Sequence, residues 1–159
     1  MTPLGATSGQ FAALKTNQID GLVADIATLL QAEANGTGKI LLRFGDLVKD
    51  FHIHVIFATD KLIATRPDAI RSFLEAWFET IGFMRANKVR TVEIAKDIIS
   101  VDPAITARTY DELMPMFSSD GRFNPKALAV LSRSYVDLKI LPTEPDMGKF
   151  YTEAFLPTK

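Results

Sequence analysis

The sequence contains no cysteine, which excludes disulfide bonds, thiolate metal ligands and a cysteine nucleophile. No apolar run approaches the roughly 20 residues that a membrane-spanning helix needs. No charged segment followed by an apolar one and a cleavage site opens the chain. We therefore expect neither a transmembrane helix nor an export signal within it.

A basic surface stripe is also missing. The 18 Lys and Arg residues and the 19 Asp and Glu residues are interspersed, with a net charge of -1, so nucleic acid is not an expected partner. The 159 residues are 47% hydrophobic and 23% charged, which is the balance of a globular protein with a core.

Known catalytic motifs are absent as well. The sequence has no G-x-S-x-G, no H-E-x-x-H and no Ser, His and Asp in a recognised order and spacing. We therefore predict that the chain is not an enzyme and uses no cofactor.

The first third of the chain alternates between helical and strand patterns. Thr7 or Ser8 is a possible N-cap of a helix that stops at Asn17, and a second helix runs from Ile26 to the turn at Asn35. Short runs rich in apolar and β-branched residues predict buried strands at 19–24, 39–44 and 52–59.

From Pro67 onward the apolar residues recur with the helical period of 3.6. Pro67, Pro103 and Pro125 each suit the first position of a helix, and Pro115 should distort or end the second of these. Further helices are predicted at 89–99 and, in short form, at 147–155. The predicted inward stripe of the helix at Pro67 consists of Ile70, Phe73, Leu74, Trp77, Ile81 and Met84.

Several segments, taken in chain order, resemble a known family. FAALKTNQIDG at 11–21 is similar to that family's AALxxGxxDA passage, with Asn17 at the usual glycine and Gly21 at the usual alanine. The run from Phe57 to Ala76 resembles its strand followed by P-[DE]-x-[VI]-x-x-F-L-x-A, and 120–123 and 151–157 resemble its tail. The family is that of ABC-transporter solute-binding proteins of the nitrate, sulfonate, taurine and thiamine-precursor class, and the likeness is to their C-terminal half.

This resemblance implies an α/β fold of the type II periplasmic-binding-protein kind, with strands in the first third and about five helices after them. Residues 1–48 would belong to a second ligand-binding lobe, 49–58 to a hinge or crossing strand, and 59–159 to a helical part that packs on the first lobe. The resemblance implies that the N-terminal half of the full-length protein is absent from this sequence. It also implies a periplasmic or extracellular protein that captures a small ligand and docks on a membrane permease. The ligand would be a sulfonate, nitrate, a taurine-like compound, an aromatic carboxylate or a pyrimidine.

Asp25 is a candidate ligand contact because it follows a predicted strand at the edge where α/β sheets gather ligands. The alternative is that it caps the helix that starts at Ile26.

His52 and His54 would point to one face of a strand. A metal site would need a third ligand that the sequence does not offer, so we predict no metal. Hydrogen bonding to a ligand, and a merely structural role at a strand end, both remain open.

Thr7 and Ser8 begin a helix whose free N–H groups could receive an anionic group, although simple capping is the alternative. Trp77, Phe78 and Phe83 are interpreted as core residues, not as a stacking platform for a ligand.

Two other functions stay open. The chain could be an interaction module that oligomerises, or associates with the missing half, through exposed apolar faces. It could also be part of a thiamine-precursor enzyme on the same fold, although the cysteine-rich segment of such an enzyme cannot occur in this cysteine-free chain.

Overall fold

A computed structural model describes residues 6–99 and 101–158. These residues form eight α-helices and two short 3-10 helices, Met114–Met116 and Met147–Lys149. The α-helices are α1 Thr7–Lys15, α2 Ile26–Ala34, α3 Phe44–Leu47, α4 Asp60–Thr65, α5 Pro67–Ala86, α6 Lys88–Ile99, α7 Pro103–Leu113 and α8 Pro125–Asp137.

The predicted α/β fold is wrong for the described residues, which contain helices and no strand. The three runs expected to be strands, at 19–24, 39–44 and 52–59, carry no strand pairing, and α3 begins at the end of the second. Several of their apolar side chains stay in solvent: Leu41 is 80% and Phe57 89% exposed, whereas Ile19, Leu22 and Ile40 are half-buried. A β-branched run becomes a strand only beside a neighbouring strand that takes up its main-chain hydrogen bonds, and no described segment does so here.

The predicted helix starts at Pro103 and Pro125 are confirmed. The Asn124 side chain accepts a hydrogen bond from the N–H of Lys126, and the Asp102 side chain accepts one from Ala104, each just before a proline that opens a helix. Pro115 lies in the 3-10 turn that follows α7, as expected from its missing N–H. The predicted cap of α1 is wrong: Ala6 holds the N-cap position, without a side-chain hydrogen bond.

The predicted stop at Asn17 is explained by its backbone. Asn17 has φ 56°, and its N–H donates to Leu14 while that of Gln18 donates to Ala13. Asparagine is among the few residues that tolerate this left-handed conformation at a helix C-terminus. Asn17 therefore performs the turn for which the resembling family usually has glycine.

The chain divides into two compact units. The first unit joins the described residues up to Leu42 with Met84–Phe117. Within it α7 packs against α2 and against α6 around the buried side chains of Leu30, Ile105 and Met114. The Tyr110 hydroxyl donates to the Met84 carbonyl at 2.6 Å, which fixes α7 to the end of α5.

The second unit joins Arg43–Phe83 with the described residues from Ser118 onward. Its buried apolar side chains are Leu74, Ile81, Ala127 and Leu128. The predicted stripe of α5 is only partly correct, because Phe73 and Trp77 stack on each other at 6.2 Å in solvent. Phe83 is exposed too, so Trp77 and Phe83 are not the core residues that we expected. The predicted division into lobes at 1–48, 49–58 and 59–159 stays a prediction.

No described helix is both long enough and apolar enough to cross a bilayer.

Gly121 marks the tightest approach in the second unit, and replacing it with alanine should destabilise the fold. It has φ +75°, and an added Cβ would lie 2.5 Å from Phe78 Cζ and 2.6 Å from Leu156 Cδ2.

Gly36 is a matched control with φ +67° and open space around it. We expect Gly36→Ala to lower the free energy of unfolding by about 1 kcal/mol through backbone strain alone. Gly121→Ala should cost about 2 kcal/mol more, from overpacking. Urea denaturation measures both, and equal losses would contradict the packing described here.

Candidate functional site

The best candidate site is an open hollow of about 320 Å³ in the first unit, lined by Ser8 and Phe11 of α1 and by Thr28 and Gln31 of α2. We call it the α1–α2 hollow. Among the described residues, its lining offers two hydroxyl groups, one carboxamide and one aromatic ring, and no charged side chain. Such a lining can exchange hydrogen bonds with a polar ligand and cover an apolar face of it.

Asp25 lies directly beside this hollow through its bonds to Thr28. Its Oδ1 accepts from the Thr28 N–H at 3.0 Å, and its Oδ2 accepts from the Thr28 hydroxyl at 2.8 Å. Asp25 is thus the N-cap of α2, which is the alternative that the sequence left open. The carboxylate is exposed, so its remaining lone pairs face solvent.

The electrostatics of Asp25 follow from these bonds. Partial burial by itself would raise the pKa of the carboxyl group, since it disfavours the charged form. The hydrogen bonds from the main chain and the hydroxyl of Thr28 outweigh burial and hold the pKa of Asp25 below its ordinary value of 3.8. Asp25 therefore carries a full negative charge at neutral pH.

The two predicted residues of α1 have different outcomes. Ser8 is exposed and lines the hollow. The predicted contact at Thr7 depends on a side chain that lies outside the described residues. The structure therefore brings Ser8 and, through Thr28, Asp25 to one place.

His52 lies in the second unit and has a structural contact. Its Nε2 accepts from the Asn124 N–H at 3.2 Å, just before α8, and its ring meets the edge of Phe123 at 5.2 Å. The Asn124 side-chain amide also donates to Asp50 at 3.1 Å. One nitrogen of His52 is thus already used in positioning the start of α8.

His54 is exposed two residues further along the same extended run. The run is not a strand, so the strand face that His52 and His54 were expected to share is not formed. Among the described residues no group of three His, Cys, Asp or Glu side chains is placed to hold a metal ion.

Sequence reasoning missed most of the hollow. Phe11, Thr28 and Gln31 were not predicted as site residues, although Ser8 with Phe11 and Thr28 with Gln31 are both spaced by three. That spacing places each pair on one face of its helix, and it is the sequence signal from which they could have been identified. It does not show that the two faces meet, which depends on tertiary packing.

A second hollow, of about 350 Å³, surrounds the start of α5 in the second unit. Its lining includes Arg66, Pro67 and Asp68, and none of the predicted site residues. The α1–α2 hollow remains the candidate.

Comparison with known proteins identifies the class. Residues 4–90 match the family described as NMT1/THI5 like, which includes ABC substrate-binding proteins. The match covers more than half of the chain and all five predicted site residues, so the chain belongs to the NMT1/THI5-like family. Searches of curated proteins and of solved structures found no match. The broad resemblance seen in the sequence is thereby confirmed.

The capping role of Asp25 predicts a defined pH dependence. A carboxyl group whose folded-state pKa is lowered contributes stability that is complete above its unfolded pKa and is lost as the pH falls through the folded pKa. We expect Asp25→Ala to cost about 1 kcal/mol at pH 7. The difference in stability between variant and wild type should shrink as the pH falls below 3.8, the ordinary pKa of an aspartate.

Asp20→Ala is the control, because Asp20 is exposed and caps no described helix. A difference that stays constant between pH 7 and pH 3 in urea denaturation would contradict this role.

Proposed function

We propose that the chain is part of the solute-binding component of an ABC importer, a periplasmic or extracellular protein that captures a small molecule without transforming it. The observation that carries this proposal is the family match over residues 4–90, a range that contains the α1–α2 hollow. Substrate-binding proteins form part of that family. Delivery to a membrane permease is the step that would follow capture.

The chemistry of the hollow favours one ligand class over the others. An oxyanion such as nitrate or a sulfonate would meet no cationic side chain in the described part of the lining and would lie beside the carboxylate of Asp25. The negative charges of the oxyanion and of the Asp25 carboxylate would repel each other. An oxyanion is therefore the less suitable ligand.

An aminopyrimidine suits the same groups better. The Gln31 carboxamide offers both a donor and an acceptor, and the Asp25 carboxylate accepts hydrogen bonds from an exocyclic amine. The Phe11 ring supplies an apolar surface for the heterocycle. We therefore propose an aminopyrimidine or a related amine-bearing ring as the ligand class.

Ligand-dependent stability tests this function. A ligand that binds only the native chain raises the free energy of unfolding, by about 2.7 kcal/mol at 100 times its Kd. Thermal unfolding is measured with an aminopyrimidine, an aromatic carboxylate, taurine and nitrate. We expect the aminopyrimidine to raise Tm, and nitrate and taurine to leave it unchanged.

Two matched variants locate the binding. Gln31→Ala removes the carboxamide from the hollow and should abolish the shift, whereas Gln18→Ala changes an exposed glutamine outside the lining and should keep it. The proposal fails if no ligand raises Tm, or if Gln31→Ala leaves the shift intact. Mass spectrometry of the ligand after incubation with the chain tests the alternative function. Chemical conversion of the ligand would favour an enzyme over a solute-binding protein.

A further inference from the structure

The hydroxyl group of Thr28 is held in one orientation. Its oxygen lies 2.8 Å from Oδ2 of Asp25, while the Thr28 main-chain N–H donates to Oδ1 of the same carboxylate at 3.0 Å. Asp25 is ionised at neutral pH, and an ionised carboxylate can only accept hydrogen bonds. The single proton of the Thr28 hydroxyl therefore points at Asp25.

This orientation fixes what Thr28 offers to a molecule in the α1–α2 hollow. A hydroxyl group has one proton to donate and two lone pairs that accept. Because the proton is used on Asp25, only the lone pairs remain for a ligand. Hydrogen bonds to a carboxylate are roughly twice as strong as neutral ones, so a neutral ligand acceptor does not readily take the proton away.

The other polar groups of the described lining adapt to either kind of ligand. The Gln31 carboxamide carries both a donor and an acceptor, and the exposed Ser8 hydroxyl can rotate to donate or to accept. Thr28 is thus the described lining residue whose polarity distinguishes a ligand that donates from one that accepts.

We propose that Thr28 is the specificity-determining residue of the α1–α2 hollow, and that its oxygen accepts a hydrogen bond from a ring substituent that carries N–H. This inference rests on the proposed function and narrows the ligand class. A ring with an amino group is selected over the same ring with an ether or carbonyl oxygen at that position. Such an oxygen would face the Thr28 oxygen without a proton between them. Asp25 is a positioning residue for this contact, since it sets the direction of the hydroxyl group.

Two matched probes measure this selectivity. The amino group of 4-aminopyrimidine donates, whereas 4-methoxypyrimidine has the same ring and only accepts. Isothermal titration calorimetry gives a dissociation constant for each. We expect the wild-type chain to bind 4-aminopyrimidine about ten-fold more tightly, which is the effect of about one net hydrogen bond.

Substitutions at Thr28 assign the selectivity to its hydroxyl group. Thr28→Val removes the hydroxyl at nearly constant shape and should abolish the preference for 4-aminopyrimidine, whereas Thr28→Ser should keep it. Thermal unfolding without ligand shows that each variant is folded.

Asp25→Asn tests the positioning role of Asp25. Asparagine still caps the helix through Oδ1, but its amide nitrogen now donates to the Thr28 oxygen. The Thr28 proton is then available to a ligand, so 4-methoxypyrimidine should bind about ten-fold more tightly than to wild type. This gain should vanish when Thr28→Val is also present. Asp102→Asn, the same change at the N-cap of α7, is the matched control and should leave both dissociation constants unchanged.

An equal preference for 4-aminopyrimidine in the wild-type chain and in Thr28→Val would overturn this inference and leave the proposed function standing. A gain for 4-methoxypyrimidine that persists in the double variant would overturn the positioning role of Asp25. If neither pyrimidine binds the wild-type chain, the inference fails. It fails together with the proposed function if no other ligand of the thermal unfolding panel binds either.

Discussion

Main-chain hydrogen bonding is the constraint that explains most of this chain. A helix satisfies its own N–H and C=O groups, whereas an extended segment depends on a neighbour. The helices with clear start and stop signals accordingly form as predicted. Residues 53–58 make no main-chain hydrogen bond with another described residue, and Ile53, Val55 and Phe57 keep their side chains in water.

This difference decides what the sequence could predict. Pro67, Asn124 with Pro125, and Asn17 act through local backbone geometry, and the structure has each boundary where the sequence placed it. The strands at 39–44 and 52–59 were predicted from β-branched and apolar composition, which describes a segment that fits a sheet but does not supply one. Sheet formation is a tertiary property, and the resemblance to α/β proteins also favoured the wrong prediction.

The same reasoning applies to the candidate site. Asp25 was predicted as a ligand contact because it follows a predicted strand, with capping of the next helix as the alternative, and the structure shows the cap. Ser8 was recognised as the start of a helix. Gln31, which supplies the amide of the hollow, becomes a candidate only when α1 and α2 are seen to enclose one space. The Asn124 contact of His52, 72 residues apart in the chain, has no sequence signal at all.

Hydrogen exchange at the amides of residues 53–58 tests most directly whether these groups lack a partner within the chain. In dilute solution they should exchange at nearly the rate of an unstructured peptide, while the amides of α7, packed between α2 and α6, exchange slowly. Protection of residues 53–58 equal to that of α7, at concentrations where the chain is monomeric, would contradict this. It would mean that the segment pairs within its own chain.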